Sequence, residues 1–167
     1  MSTLSVGDLQ GLAVNSNVVT VPTGHTLNAV DGLQIGGVAQ GTWTAYTPTF
    51  TGISFSSYTA RYAMVNKVVH VGFEGTLDAA STGTIYIGLP ETPYLPNNDT
   101  RRWGAASCVD QSAGVYYSGL VELRSTGEVR IWDNVGGSSS APRWDNLFPF
   151  TWASGDWLTF QITYEAA

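Results

Sequence analysis

Three aspartates stand beside tryptophans in the last third of the sequence. They are Asp133 in IWDN, Asp145 in RWDN and Asp156 in SGDW. Paired carboxylates on the two sides of a glycosidic bond are the catalytic arrangement of most glycoside hydrolases. Aspartates next to turns also accept hydrogen bonds from backbone N–H groups, which explains the same pattern without catalysis. We favour the turn interpretation and expect a protein that is not an enzyme and uses no cofactor.

The other reactive residues are few and far apart. The chain has two histidines and one cysteine, and these give no spacing typical of a zinc site. His25 lies in VPTGHTL, a segment with little apolar bulk, and His70 falls on the polar side of an alternating stretch. Cys108 is interpreted as a small buried residue. The segment PNNDT at 96–100 lacks the spaced carboxylates of a calcium loop, so we expect a plain turn and no metal.

Aromatic residues are concentrated near the C-terminal end of the sequence. The candidate contact residues there are four tryptophans and two of the aspartates: Trp132, Trp144, Trp152, Trp157, Asp133 and Asp145. Aromatic side chains are enriched at subunit interfaces, and they also close the ends of cores. Exposed aromatics beside Asp and Asn can instead stack on sugar rings while the polar groups bind hydroxyls. We favour an interface or core role and keep sugar binding as the alternative.

The elements that position these residues are predicted to be strands. Apolar residues alternate with polar ones in KVVHVGFEGTL, GTIYIGLP, GVYYSGLVEL, GEVRIWD and WLTFQITYEAA, and turn residues bound each stretch. No stretch keeps helical spacing for three turns. RSTGE, at 124–128, predicts a hairpin between residues 115–123 and 128–133. In the second of these strands, Trp132 is expected to point outward.

The pattern predicts an all-β fold in two parts. Residues 43–167 are expected to form an antiparallel, jelly-roll-like β-sandwich domain. Residues 1–42 contain no aromatic side chain, whereas the remainder holds all 20. They are therefore expected to form an extended N-terminal attachment arm that is ordered by its partners. The residues expected to anchor this arm are Val19, Val21, His25 and Leu27.

Composition limits the classes of partner. The formal net charge is −6, and no basic stripe is present, which argues against nucleic acid. No apolar run is long enough to span a membrane, so we expect no membrane insertion. The first residues lack the pattern of a signal peptide, which indicates folding in a cytoplasm. Charged residues make up only 12% of the chain, about half the usual share of ~25%, so much of the surface is expected to be buried between subunits.

Four motifs together resemble a known family. They are GTWTAYTPTFTG, ARYAMVNKVVHVGFEGTL, GTIYIGLP and PFTWASGDWLTFQITYEAA. The matching positions are Trp43, Tyr46, Pro48 and Gly52, then Tyr62, Lys67, Val69 and Val71, then Gly88–Pro90, and finally Phe150–Ala153, Gly155, Asp156 and Leu158. This pattern resembles the C-terminal domains of bacteriophage tail and virion appendage proteins.

The resemblance implies a structural role in a virion, made in the cytoplasm of a bacterial host. Such domains are typically trimeric β-sandwiches, so we expect a homotrimer that contacts other capsid or tail proteins. Both a head decoration or fibre and a tail-tip subunit, such as part of a tail fibre, fit a short arm followed by one domain. Receptor binding through a host surface glycan is the alternative function. The motifs contain no catalytic residues to transfer.

Overall fold

The computed structural model describes residues 34–35, 38–39, 41–96, 101–134 and 142–167, with the backbone alone for 34–35, 38–39 and 101–103. The chain divides after Gly32, and every described residue belongs to the unit Leu33–Ala167. The predicted boundary after residue 42 falls inside this unit. The arm residues Val19, Val21, His25 and Leu27 lie outside the described residues, so their role stays a prediction.

The described part of the chain is all-β, as predicted, and contains no α-helix. The strands are β1 (Gln34–Ile35), β2 (Val38–Ala39), β3 (Thr44–Ala45), β4 (Phe50–Thr51), β5 (Phe55–Val65), β6 (Val68–Leu77), β7 (Tyr86–Gly88), β8 (Arg101–Asp110), β9 (Val115–Arg124), β10 (Glu128–Asp133) and β11 (Trp157–Glu165). Strands β1 and β2 pair with each other. No helix in the ranges described is long and apolar enough to cross a membrane.

The other nine strands form one antiparallel sheet in the order β3-β5-β6-β11-β8-β9-β10-β7-β4. Its two end strands, β3 and β4, are close in the sequence, so the sheet must curl to bring its ends together. Ring contacts show this closure: Phe50 in β4 lies 4.9 Å from Phe55 in β5 and 6.0 Å from Phe73 in β6, between ring centroids. The all-β class is confirmed, and the jelly-roll-like sandwich stays a prediction.

Alternation along the central strands builds the core, as the sequence predicts. In β6 the inward side chains are Val69, Val71, Phe73 and Leu77, and all are buried. In β11 the buried set is Leu158, Phe160, Ile162 and Tyr164. The two strands pair along nine residues. Burial of such side chains contributes about 1.5–3 kcal/mol each, so this pair of strands is the centre of the hydrophobic core.

The predicted hairpin between β9 and β10 is confirmed. Glu128 pairs with Arg124, which leaves a three-residue loop. Gly127 closes this loop at a φ of 79°, a left-handed conformation that glycine adopts without steric cost. Alternation in GVYYSGLVEL places Val115 and Tyr117 on the same face as Val121 and Leu123, which are buried, but Val115 is exposed and Tyr117 is half-buried. They lie in the first residues of β9, beside the turn at 111–114 and at the margin of the core.

Candidate functional site

Two of the four predicted contact tryptophans are core residues. Trp144 and Trp152 are almost fully buried, and their ring centroids lie 5.9 Å apart. Phe150 packs 4.6 Å from Trp152 and 5.0 Å from Tyr117. Neither indole is accessible to a ligand in a single chain. Their burial agrees with the core role that we favoured from the sequence, while the contact role named for Trp144 and Trp152 stays a prediction.

The other two tryptophans are half-buried and lie apart in the sheet. The guanidinium groups of Arg130 and Arg143 lie over the indole of Trp132, at 4.8 and 5.7 Å from its ring centroid. Such contacts are worth about 0.5–1 kcal/mol at exposed sites. Arg130 Nε also donates to Glu122 Oε1 at 2.6 Å. Trp132 is therefore part of a packed charged cluster, whereas Trp157 begins β11 and lines a depression on the outer surface.

Two of the three aspartates beside tryptophans serve turns, as the sequence indicates. Asp145 Oδ1 accepts hydrogen bonds from the backbone N–H groups of Leu147 and Phe148. Asp156 is buried, and its two carboxylate oxygens accept from the N–H groups of Gln111 and Ala153, at 3.0 and 2.7 Å.

Asp133 is half-buried at the end of β10. Its backbone N–H donates to the carbonyl of Pro142 at 2.9 Å. The contact role predicted for Asp133 and Asp145 is not tested by these bonds.

The remaining reactive groups have structural surroundings. Cys108 is completely buried, and burial, together with the charges of Asp156 and Asp133, raises the pKa of its thiol. Because the thiolate is the reactive form, the raised pKa makes this thiol inert. His70 Nδ1 lies 2.9 Å from the hydroxyl oxygen of Thr163 on the outer surface. Within the described ranges, no three His, Cys, Asp or Glu side chains are grouped to hold a metal ion.

A groove that sequence reasoning missed lies on the outer surface of β5, β6, β11 and β8. Three adjoining depressions of about 240, 390 and 290 Å³ form it, and the last two each share residues with the first. We call it the outer groove and define it by six of its lining residues, which are Trp43, Arg61, Gly72, Glu74, Trp157 and Gln161.

Strand register explains why these residues meet. Gly72 in β6 pairs with Arg61 in β5 on one side and with Gln161 in β11 on the other. Trp43 stands beside this row, since the Arg61 guanidinium lies 5.3 Å from its ring centroid. Alternation in the sequence already places Glu74 and Gln161 on the outer face, but the pairing of β5, β6 and β11 cannot be read from alternation.

The outer groove combines aromatic and hydrogen-bonding surfaces. Trp43 is 52% exposed. A β-carbon added to Gly72 would have no heavy atom within 4 Å, so the floor of the groove is open there. In the described part of the chain, the side chains of Glu74 and Gln161 take part in no hydrogen bond or ion pair. The arrangement can bind a ligand by ring stacking and by polar contacts.

No protein-family model matches the chain, and no curated protein sequence matches it.

Proposed function

We propose that the chain is a non-enzymatic structural protein of a phage particle. In this role it is an appendage, either a head decoration or fibre or a tail-tip subunit, that is anchored by residues 1–42 and displays the β-domain as a homotrimer. The observation that carries the proposal is that the motifs of the resemblance coincide with residues on which this fold depends. This coincidence supports the proposal, because it places the motifs at positions that the fold constrains.

Particular motif residues illustrate this dependence. Gly52 has a φ of 74°, and a β-carbon on it would lie 2.4 Å from the carbonyl oxygen of Thr84. A β-carbon on Gly88 would lie 2.5 Å from Thr49 Oγ1. Trp152 and Leu158 are core residues, and Asp156 holds the turn between them.

An exposed apolar patch supports assembly with further copies of the chain. We call it the end patch and define it by Val65, Val68 and Tyr94, which are between 41% and 53% exposed. Val65 pairs with Val68, and the N–H of Tyr94 donates to the carbonyl of Glu165, the partner of Val68. Beside them, the backbone N–H of Gly41 donates a hydrogen bond to the carbonyl of Met64. Apolar groups grouped at one end are typical of an interaction surface.

Immunogold electron microscopy of the particles tests the proposal. An antibody against residues 43–167 is expected to label either the capsid or the tail tip, and the position of the gold decides between decoration and adsorption. A particle preparation that contains the protein by mass spectrometry but carries no gold, or a preparation without the protein, contradicts the role. In addition, a chain that lacks residues 2–36 is expected to remain folded and soluble and to be missing from particles.

The trimer has its own test. Tyr94→Ser is expected to lower the oligomer mass measured by multi-angle light scattering, since it removes apolar surface from the end patch. Tyr116→Ser is the matched control. Tyr116 is 76% exposed and lies at the opposite end of the sheet, at the level of Val109 and Trp157. Equal loss of the oligomer in both variants, or a wild-type monomer, would exclude assembly through the end patch.

A further inference from the structure

The outer groove has the dimensions of an extended ligand. The row at Gly72 and the row at Thr76, which pairs with Trp157, are four residues apart on β6, or about 13 Å of strand. Trp43 stands at the first row and Trp157 at the second. In the direction of the strands the two indoles are therefore about 13 Å apart, a spacing that suits a chain of two or three linked rings better than a single small molecule.

We propose that the outer groove binds a neutral oligosaccharide. Trp43 offers a half-exposed indole, and the C–H groups of a pyranose, which carry partial positive charge, are attracted to the negative face of such a ring. Glu74 and Gln161 supply acceptors and an amide donor for sugar hydroxyls. Neither side chain is hydrogen-bonded to another described residue. A few placed polar groups beside apolar surface are the usual composition of a ligand site.

Charge selects the class of sugar. Arg61 and Glu74 bring one positive and one negative charge to the groove, and the Arg61 guanidinium is already placed against the Trp43 ring. The whole chain carries a formal charge of −6. An acidic glycan would be repelled by the carboxylate of Glu74 and by the net negative charge of the chain, whereas a neutral glycan experiences neither repulsion.

An ordinary solvated sheet face would show a different arrangement. Long polar side chains from neighbouring strands would meet over the sheet and fill the space between them. Here Gly72 leaves the central position of the row empty, and a large aromatic side chain remains half exposed beside it. The combination of an open floor, an exposed indole and uncommitted polar groups is what carries the inference.

A glycan array with the intact protein tests the groove. It displays neutral di- to tetrasaccharides of glucose, galactose, mannose and N-acetylglucosamine beside sialylated and sulfated ones. Gly72→Thr places a side chain in the open floor without a steric clash, and Trp43→Ala removes the stacking surface. Gly83→Thr is the matched control, because a β-carbon there also has no heavy atom within 4 Å and Gly83 does not line the groove. Trp132→Ala controls for the charged cluster.

The expected result is retention of neutral glycans by the wild type, at least a tenfold loss in Gly72→Thr and Trp43→Ala, and unchanged binding in Gly83→Thr and Trp132→Ala. The proposal is overturned if no neutral glycan is retained, if acidic glycans are preferred, or if Gly72→Thr binds as the wild type does. It is also overturned if Gly72→Thr reduces the oligomer mass while the wild type binds no sugar, because the groove is then a subunit contact. None of these outcomes depends on where the protein sits in a particle.

Discussion

Replacement by alanine should change the free energy of unfolding in opposite directions at two glycines of the same strand. Gly72 and Gly75 both lie in β6, three residues apart. A β-carbon on Gly75 would lie 2.6 Å from Phe55 Cδ1 and 3.0 Å from Cε1, whereas one on Gly72 would meet no heavy atom within 4 Å. Normal carbon–carbon contacts are about 3.5–4.0 Å, so the Phe55 ring would have to retreat by roughly 1 Å to accept Gly75→Ala.

The Phe55 ring has little room for this movement. Its centroid lies 4.9 Å from that of Phe50 and 5.2 Å from that of Phe73. Overpacking of a filled core costs about 1–3 kcal/mol. Replacement of glycine by alanine gains about 0.4–1 kcal/mol by restricting the unfolded chain. Gly75→Ala should therefore lose about 1–2 kcal/mol of unfolding free energy, and Gly72→Ala should gain about 0.4–1 kcal/mol.

Thermal unfolding followed by circular dichroism measures both effects. One kcal/mol corresponds to roughly 2–4 °C for a chain of this size, so Gly75→Ala should lower Tm by about 3–6 °C and Gly72→Ala should raise it by about 1–3 °C. Guanidinium denaturation with unchanged m-values would confirm that the native state is affected. A Gly75→Ala protein as stable as the wild type, or equal losses in both variants, would refute the packing argument.

Three further predictions concern buried or hydrogen-bonded groups. Asp156→Asn removes one of the two carboxylate oxygens that accept backbone N–H groups, and should cost about 1–3 kcal/mol by denaturant unfolding; unchanged stability would contradict this role. Cys108 should react with a thiol reagent only in denaturant, because it is buried and its pKa is raised, and rapid labelling of the native protein would exclude that. The Ser112 side chain is the largest cause that lowers the pKa of Asp110, so Asp110 stabilises the fold above its unfolded-state pKa and loses this effect as the pH falls through its lower folded-state pKa. Ser112→Ala should raise the pKa of Asp110 toward its ordinary value in an NMR titration and flatten the acid side of the stability profile, whereas an unmoved pKa would show that the hydroxyl contributes nothing.

Alternation allowed the inner face of the sheet to be predicted well. It identified the inward residues of β6 and β11, and also Val129 and Ile131 in β10. Each of these strands has one face in the core and one in solvent. It failed at Val115 and Tyr117, since the start of β9 extends to the margin of the core, where alternation no longer reports burial. The turn residues in RSTGE were sufficient for the β9–β10 hairpin because that contact is local.

The site was less predictable for a physical reason. Trp144 and Trp152 lie in segments without regular alternation, so only the three-dimensional packing shows that they are buried. The outer groove needs β11 to lie beside β6, and Gly72 and Gln161 are partners although four strands, β7 to β10, lie between them in the sequence. Pairing over such distances depends on the whole fold, and no local pattern encodes it.

The position of β11 has a consequence for synthesis. This strand lies between β6 and β8, with three strands of the sheet on one side of it and five on the other. It is also the last described strand to leave the ribosome. Until residue 165 has emerged, the nascent chain holds two partial sheets whose facing edges at β6 and β8 are unpaired, and open edges of this kind invite pairing between chains. A ribosome that stalls within β11 therefore leaves a chain whose open strand edges can pair with neighbouring chains on the same polysome.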